Sequence, residues 1–122
     1  MFTKNEASDD LSTSEYWDER YRSREDEDYF EWLGEYELYQ APLTRWISKV
    51  GSDARILHLG CGNSLLAQGL HEDGFLNICN LDYSLCVLEK MSQRLAHRPM
   101  TWLCADMRSL PLLVFLSFIS PN

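Results

Sequence analysis

The chain has 122 residues, 45% of them hydrophobic and 12% aromatic, enough for one domain with its own core and too few for two. Its net charge of -8 is local: residues 1–35 carry twelve Asp/Glu against four Lys/Arg, and residues 36–122 carry seven of each. No basic stripe is present, which argues against a nucleic-acid binder, and the longest apolar run, LPLLVFLSFI, is too short to span a bilayer.

Residues 1–12 are polar and predict a disordered tail, with no apolar stretch that would make MFTKNEASDD a signal peptide. A helical segment is expected over residues 13–53. Ser12 or Ser14 is placed to cap a first helix over SEYWDERYRSR, which puts Tyr16, Trp17, Arg20 and Tyr21 on one side. Further on, Leu38, Pro42, Leu43, Trp46, Ile47 and Val50 recur at roughly helical spacing, predicting a second helix that ends before Gly51.

From Ala54 short elements alternate: ARILHL as a buried strand, SLLAQGLHED as a helix, LNICNL as a strand, SLCVLEKMSQRLAHR as a helix and MTWLCA as a strand. Gly74 and Pro99 mark the ends of the two helices. Each parallel strand pairing needs a crossover, so this order predicts an α/β fold with a Rossmann-like doubly wound parallel sheet, of which one mononucleotide-binding half is present. PLLVFLSFISPN reads as one more strand at most, which would leave the sheet with an unpaired edge.

The four cysteines stand singly among apolar residues, without zinc spacing, and read as reduced thiols in a soluble cytoplasmic protein. His58 reads as strand packing, with a polar contact behind the site as the alternative, Cys61 as a small residue in a turn, and His71 and His97 as exposed helix-end residues. Trp46 and Trp102 read as ordinary packing of helix and strand.

The turn after the first strand, in RILHLGCGNS, carries the chemistry. Gly60 and Gly62 let the backbone approach a ligand, and the following helix offers free N–H groups to an anion. A dinucleotide fingerprint places a third glycine three residues after the second; here that position is Leu65, which disfavours a nicotinamide-dependent oxidoreductase. A ligand with a single carboxylate to anchor suits the shorter turn. S-adenosyl-L-methionine is such a ligand: Asp82, after the second strand, is placed for its ribose hydroxyls, and Asp106, after the third, for its adenine amino group. Each aspartate alone has an ordinary role, Asp82 as a cap near Ser84 and Asp106 in the turn before Pro111. The three features together favour the methyl donor.

YWDERY, YFEWLGEY, ILHLGCGNS and LDYS resemble motifs of class I, seven-strand S-adenosylmethionine-dependent methyltransferases, in the branch of methyltransferase-like 13 and elongation factor 1A lysine methyltransferase 4. The resemblance spans about Tyr16 to Leu110. It implies that Trp17, Tyr21 and Trp32 surround the cofactor, with Gly60 under its methionine part, Asp82 and Tyr83 on the ribose side, and Asp106 and Met107 on the adenine. It makes residues 54–122 the N-terminal part of a methyltransferase domain with an atypical tail from about residue 111. The branch acts on protein lysine, so a protein substrate is expected, a basic translation factor being compatible with the acidic N-terminal segment. After MRSLP the family's fourth-strand motif is missing, so the chain is expected to hold cofactor while lacking the acceptor-aligning residues. The competing non-enzymatic expectation is a truncated binding or regulatory module that pairs with another chain through its sheet edge.

Overall fold

In the computed structural model the described residues are 10–24 and 29–110. The expectations for residues 1–9 and for the tail from residue 111 lie outside them.

The first helix, α1 (Ser14–Ser23), is capped by Thr13, not by Ser12 or Ser14: the Thr13 hydroxyl accepts from Tyr16 N at 3.3 Å. Ser12 is used differently, donating from its N–H (2.9 Å) and its hydroxyl (2.6 Å) to Asp10 Oδ1, so that residues 10–12 form a turn ahead of the cap. The second helix, α2 (Tyr36–Val50), stops at Gly51, whose φ of +130° lies outside the helical region, with Gly51 N donating to Ile47 O. Its working face is Tyr36, Gln40, Leu43 and Ile47, one helical stripe. Leu38, Trp46 and Val50 point to solvent, so the packing expected of Trp46 is not found. Trp46 is 66% exposed, and Lys49 Nζ lies 4.0 Å from its ring centroid.

Then come β1 (Ile56–Leu59), α3 (Leu66–Glu72), β2 (Ile78–Asp82), α4 (Leu85–Arg94) and β3 (Thr101–Cys104). The three strands are parallel in the order β1-β2-β3, with His58 opposite Asn80 and Leu81 opposite Leu103. β2, in the centre, is buried along its whole length. β1 was expected to be a buried strand but is only half-buried, since it forms one edge of the described sheet. The expectation that the helix before Pro99 runs up to it also fails: α4 ends at Arg94, and Arg98 N closes a turn onto Leu95 O at 2.9 Å.

Two apolar clusters lie side by side on one face of the sheet, with Met100 packed against both, because two right-handed crossovers in the order β1-β2-β3 put α3 and α4 on the same side. Tyr36, Ala67, Leu70, Phe75 and Ile78 join α2 and α3 to the sheet. Tyr21, Val87, Met91 and Leu95 join α1 and α4, with Trp17 and Trp102 packed against them, as expected of Trp102. Each fully buried Leu or Val of these clusters stabilises the fold by about 1.5–3 kcal/mol. The consequence for function is positional: α1 packs beside α4 and α2 beside α3, and Glu31 and Trp32, between α1 and α2 in the chain, lie at the carboxyl ends of the strands. No helix among the described residues is long and apolar enough to cross a membrane.

Candidate functional site

The carboxyl ends of three parallel strands converge on a cavity of about 380 Å³. Its lining includes Trp17 and Tyr21 from α1, Trp32 from the connecting stretch, Gly60 after β1, Asp82 and Tyr83 at the end of β2, and Asp106 and Met107 after β3. Sequence reasoning named all eight. Gly62, the ninth candidate, lines a neighbouring cavity of about 350 Å³ on the α2 side, which shares Tyr21, Trp32 and Gly60 with the first.

The glycine turn is built for close approach. Gly60 has φ +63° and Gly62 φ +49°, the left-handed region that side chains disfavour. A Cβ on Gly60 would sit 3.2 Å from Met107 Cε, at the cavity wall, and one on Gly62 would sit 2.7 Å from the Tyr21 hydroxyl. Cys61 N donates to Leu81 O at 3.0 Å and ties the turn to β2. The Cys61 thiol is buried, and burial raises its pKa well above the ordinary thiol value, so it is packing and not a nucleophile.

Asp82 is buried beneath this turn. Its Oδ2 accepts from Gly62 N at 2.8 Å and its Oδ1 from Ser84 N at 2.9 Å. Each oxygen therefore has one backbone donor and a second acceptor direction left, the chemistry that two ribose hydroxyls require. Ser84, not Asp82, is the cap of α4, its hydroxyl accepting from Val87 N at 3.3 Å.

Asp106 is paired with a residue the sequence reading passed over. Arg108 donates to it from Nε (3.0 and 3.1 Å), from Nη2 (2.8 Å) and from its backbone N–H (2.9 Å). These bonds hold the Asp106 carboxyl below its usual pKa. The guanidinium also lies 5.7 Å from the Tyr83 ring centroid and donates to Ser12 O at 3.2 Å, so it ties the third strand's loop to the N-terminal turn.

The aromatic side of the cavity combines an edge contact with a tilted pair. Trp17 and Trp32 have centroids 6.3 Å apart at 78°, and Trp17 and Tyr21 have centroids 6.3 Å apart at 31°. Trp17 Nε1 donates to Leu11 O at 2.9 Å. Such π faces suit a sulfonium and an adenine ring.

Two expectations change. The N–H groups opening α3 do not await an anion: Glu31 already accepts from Leu65 N at 2.7 Å and from the Ser64 hydroxyl at 2.9 Å. Among the histidines only His71 departs from its reading: His58 makes the polar contact that was its alternative, and His97 is exposed as expected. His58 Nδ1 meets Asn80 Oδ1 at 3.1 Å across the strand pair, and His71 is half-buried with Nδ1 3.3 Å from Arg98 Nη1; only His97 is exposed. Besides Arg108, the residues missed are Asp18 and Glu31. Both lie inside motifs that were read for their aromatic residues alone.

The residues fit a methyl donor of this kind: a buried carboxylate with free acceptor directions, a glycine-floored cavity and aromatic faces opposite. Comparison with known proteins agrees. Residues 57–114 match a family model described as a methyltransferase domain. The chain is 39% identical over 97 residues to EEF1A lysine methyltransferase 4 of Mus musculus, covering 79% of this chain and 37% of that protein. It is 42% identical over 82 residues to methyltransferase srdJ of Neurospora crassa, covering 66% of this chain and 34% of that one. The chain thus spans little more than a third of the length of these curated relatives. Among solved structures, the cyclase SpnF superposes with TM-score 0.50 at 20% identity, covering 81% of this chain and 44% of that one, a likeness of fold alone.

Proposed function

The chain belongs to the S-adenosylmethionine-dependent methyltransferases, in the branch of EEF1A lysine methyltransferase 4, and we propose that the cavity at the strand ends is its cofactor site. The observation that carries the assignment is the convergence of Trp17, Tyr21, Trp32, Gly60, Asp82, Tyr83, Asp106 and Met107 on one cavity from five separate stretches of chain.

When bound, S-adenosylmethionine supplies an activated methyl group on sulfur. The residues of this chain hold and orient. Asp82 receives the ribose hydroxyls on the free acceptor directions of its oxygens. Gly60 leaves room for the methionine backbone, and Asp106 with Met107 borders the adenine end. Trp17, Tyr21 and Trp32 exclude water and present π faces to positive charge. Gly62 acts through Asp82, which its N–H helps to fix.

The methyl acceptor we propose is a lysine amine of a protein, elongation factor 1A being the substrate that the relatives' names carry, and the compartment we propose is the cytoplasm. Alignment is the main task in methyl transfer from a sulfonium, so the reaction needs no nucleophilic side chain of the enzyme.

The test is isothermal calorimetry with S-adenosylhomocysteine and, in parallel, thermal shift with S-adenosylhomocysteine and NAD. Saturable binding of the homocysteine ligand alone supports the assignment. Stabilisation by NAD in its place, or no binding, overturns it.

A further inference from the structure

The aromatic side of the cavity needs an anchor that burial does not provide. Trp32 is 67% exposed, so little apolar area holds its ring over the site. Two carboxylates adjoining the tryptophans do the holding. Glu31, next to Trp32, accepts from Leu65 N at 2.7 Å and from the Ser64 hydroxyl at 2.9 Å, at the start of α3. Asp18, next to Trp17, accepts with Oδ1 from the Ser84 hydroxyl at 2.5 Å and from Cys86 N at 3.1 Å, at the start of α4. Asp18 is not needed as the cap of α4, because Ser84 already fills that place. What its bonds fix is the position of α1 relative to the sheet. Both contacts set a carboxylate at the positive end of a helix, and both are charge-assisted.

The two helix starts directly follow the glycine turn and Asp82. The same pair of contacts therefore sets the distance between the floor of the cavity and its aromatic side. We propose that Asp18 and Glu31 are positioning residues for the cofactor, acting through Trp17 and Trp32 without touching the ligand. The proposal rests on the cofactor reading above.

Calorimetry with S-adenosylhomocysteine on wild type, Glu31→Ala, Glu31→Gln, Trp32→Ala and the double variant E31A/W32A tests it, with Asp18→Ala and Asp18→Asn as the second arm. Removal of either carboxylate is expected to weaken binding by about tenfold, a modest loss for a charge-assisted contact. The amide variants keep an acceptor oxygen and recover most of that loss. Because Glu31 acts through Trp32, the double variant binds no more weakly than Trp32→Ala alone. Ser64→Ala removes a partner of Glu31 while leaving the acidic segment intact, and is expected to weaken binding in the same direction; it serves if Glu31→Ala does not fold. Equal binding by wild type and the alanine variants, or losses that add in the double variant, overturns this proposal alone. No binding by wild type overturns it together with the cofactor assignment.

Discussion

Asp82 Oδ2 accepts a 2.8 Å hydrogen bond from the backbone N–H of Gly62, twenty residues earlier in the chain. Its other oxygen accepts from Ser84 N. One buried carboxylate thus braces both loops that floor the cavity, and its proposed ligand contacts are additional to that. Asp82→Ala should therefore destabilise the ligand-free protein, by about 1.5–3 kcal/mol for each charged hydrogen bond lost. Asp82→Asn, which keeps one acceptor oxygen, should lose less. Thermal melts without ligand decide this, and an Asp82→Ala melt identical to wild type would show that the brace contributes nothing.

Gly62→Ala combines two costs that can be separated. The left-handed φ of +49° penalises any side chain, by about 1–2 kcal/mol. The new Cβ would also stand 2.7 Å from the Tyr21 hydroxyl. The Tyr21→Phe background is the control, because it removes the hydroxyl that the Cβ would meet and leaves the backbone penalty unchanged. Gly62→Ala should lower the melting temperature, and by less in the Tyr21→Phe background. Equal losses in the two backgrounds would remove the steric part of the explanation.

The pattern of legible and illegible features has physical causes. Strand order, the glycine turn and the aspartates at the ends of β2 and β3 are local facts: apolar runs, glycines and the residues that follow them. They were readable because the topology of a parallel α/β sheet forces strand ends together. The clamp by Asp18 and Glu31 was not, because each reaches a helix start 33 or more residues away in sequence. Such a contact has no periodicity to betray it. Trp46 misled for the opposite reason: it continues an apolar spacing along α2, but the buried stripe follows Tyr36, Leu43 and Ile47.

Gly69 lies inside α3, where alanine would ordinarily favour the helix by about 1 kcal/mol. Here the substitution should destabilise. A Cβ on Gly69 would come within 2.3 Å of Tyr36 Cδ1 and 2.7 Å of Cγ, so the ring must move. Tyr36 in turn donates from its hydroxyl to Asp73 Oδ2 at 2.5 Å, and Gln40 Nε2 donates to the same oxygen at 2.9 Å. Displacing the ring costs about 1–3 kcal/mol in overpacking and pulls at the seam between α2 and α3. A Gly69→Ala melt at or above wild type would mean that Tyr36 has room to move aside.

His58 gives the fold a defined acid sensitivity. Burial lowers its pKa from the ordinary 6.5, and outweighs the Asn80 hydrogen bond and the charges of Glu31 and Asp82, which act in the other direction. Below pH 6.5 the unfolded chain therefore takes up a proton at His58 that the folded chain refuses. The unfolded state binds more protons, so stability falls as the pH drops below that value and continues to fall until the folded pKa is reached. One group contributes at most about 1.4 kcal/mol per pH unit in that window. Carboxylates begin to titrate at lower pH, so the comparison to make is between wild type and His58→Gln, by denaturant unfolding from pH 7 to pH 5. The wild-type curve should drop more steeply than that of the variant, because glutamine takes up no proton in either state. Parallel curves would place the His58 proton in the folded state as readily as in the unfolded one, and the acid sensitivity would have to be sought elsewhere in the sheet.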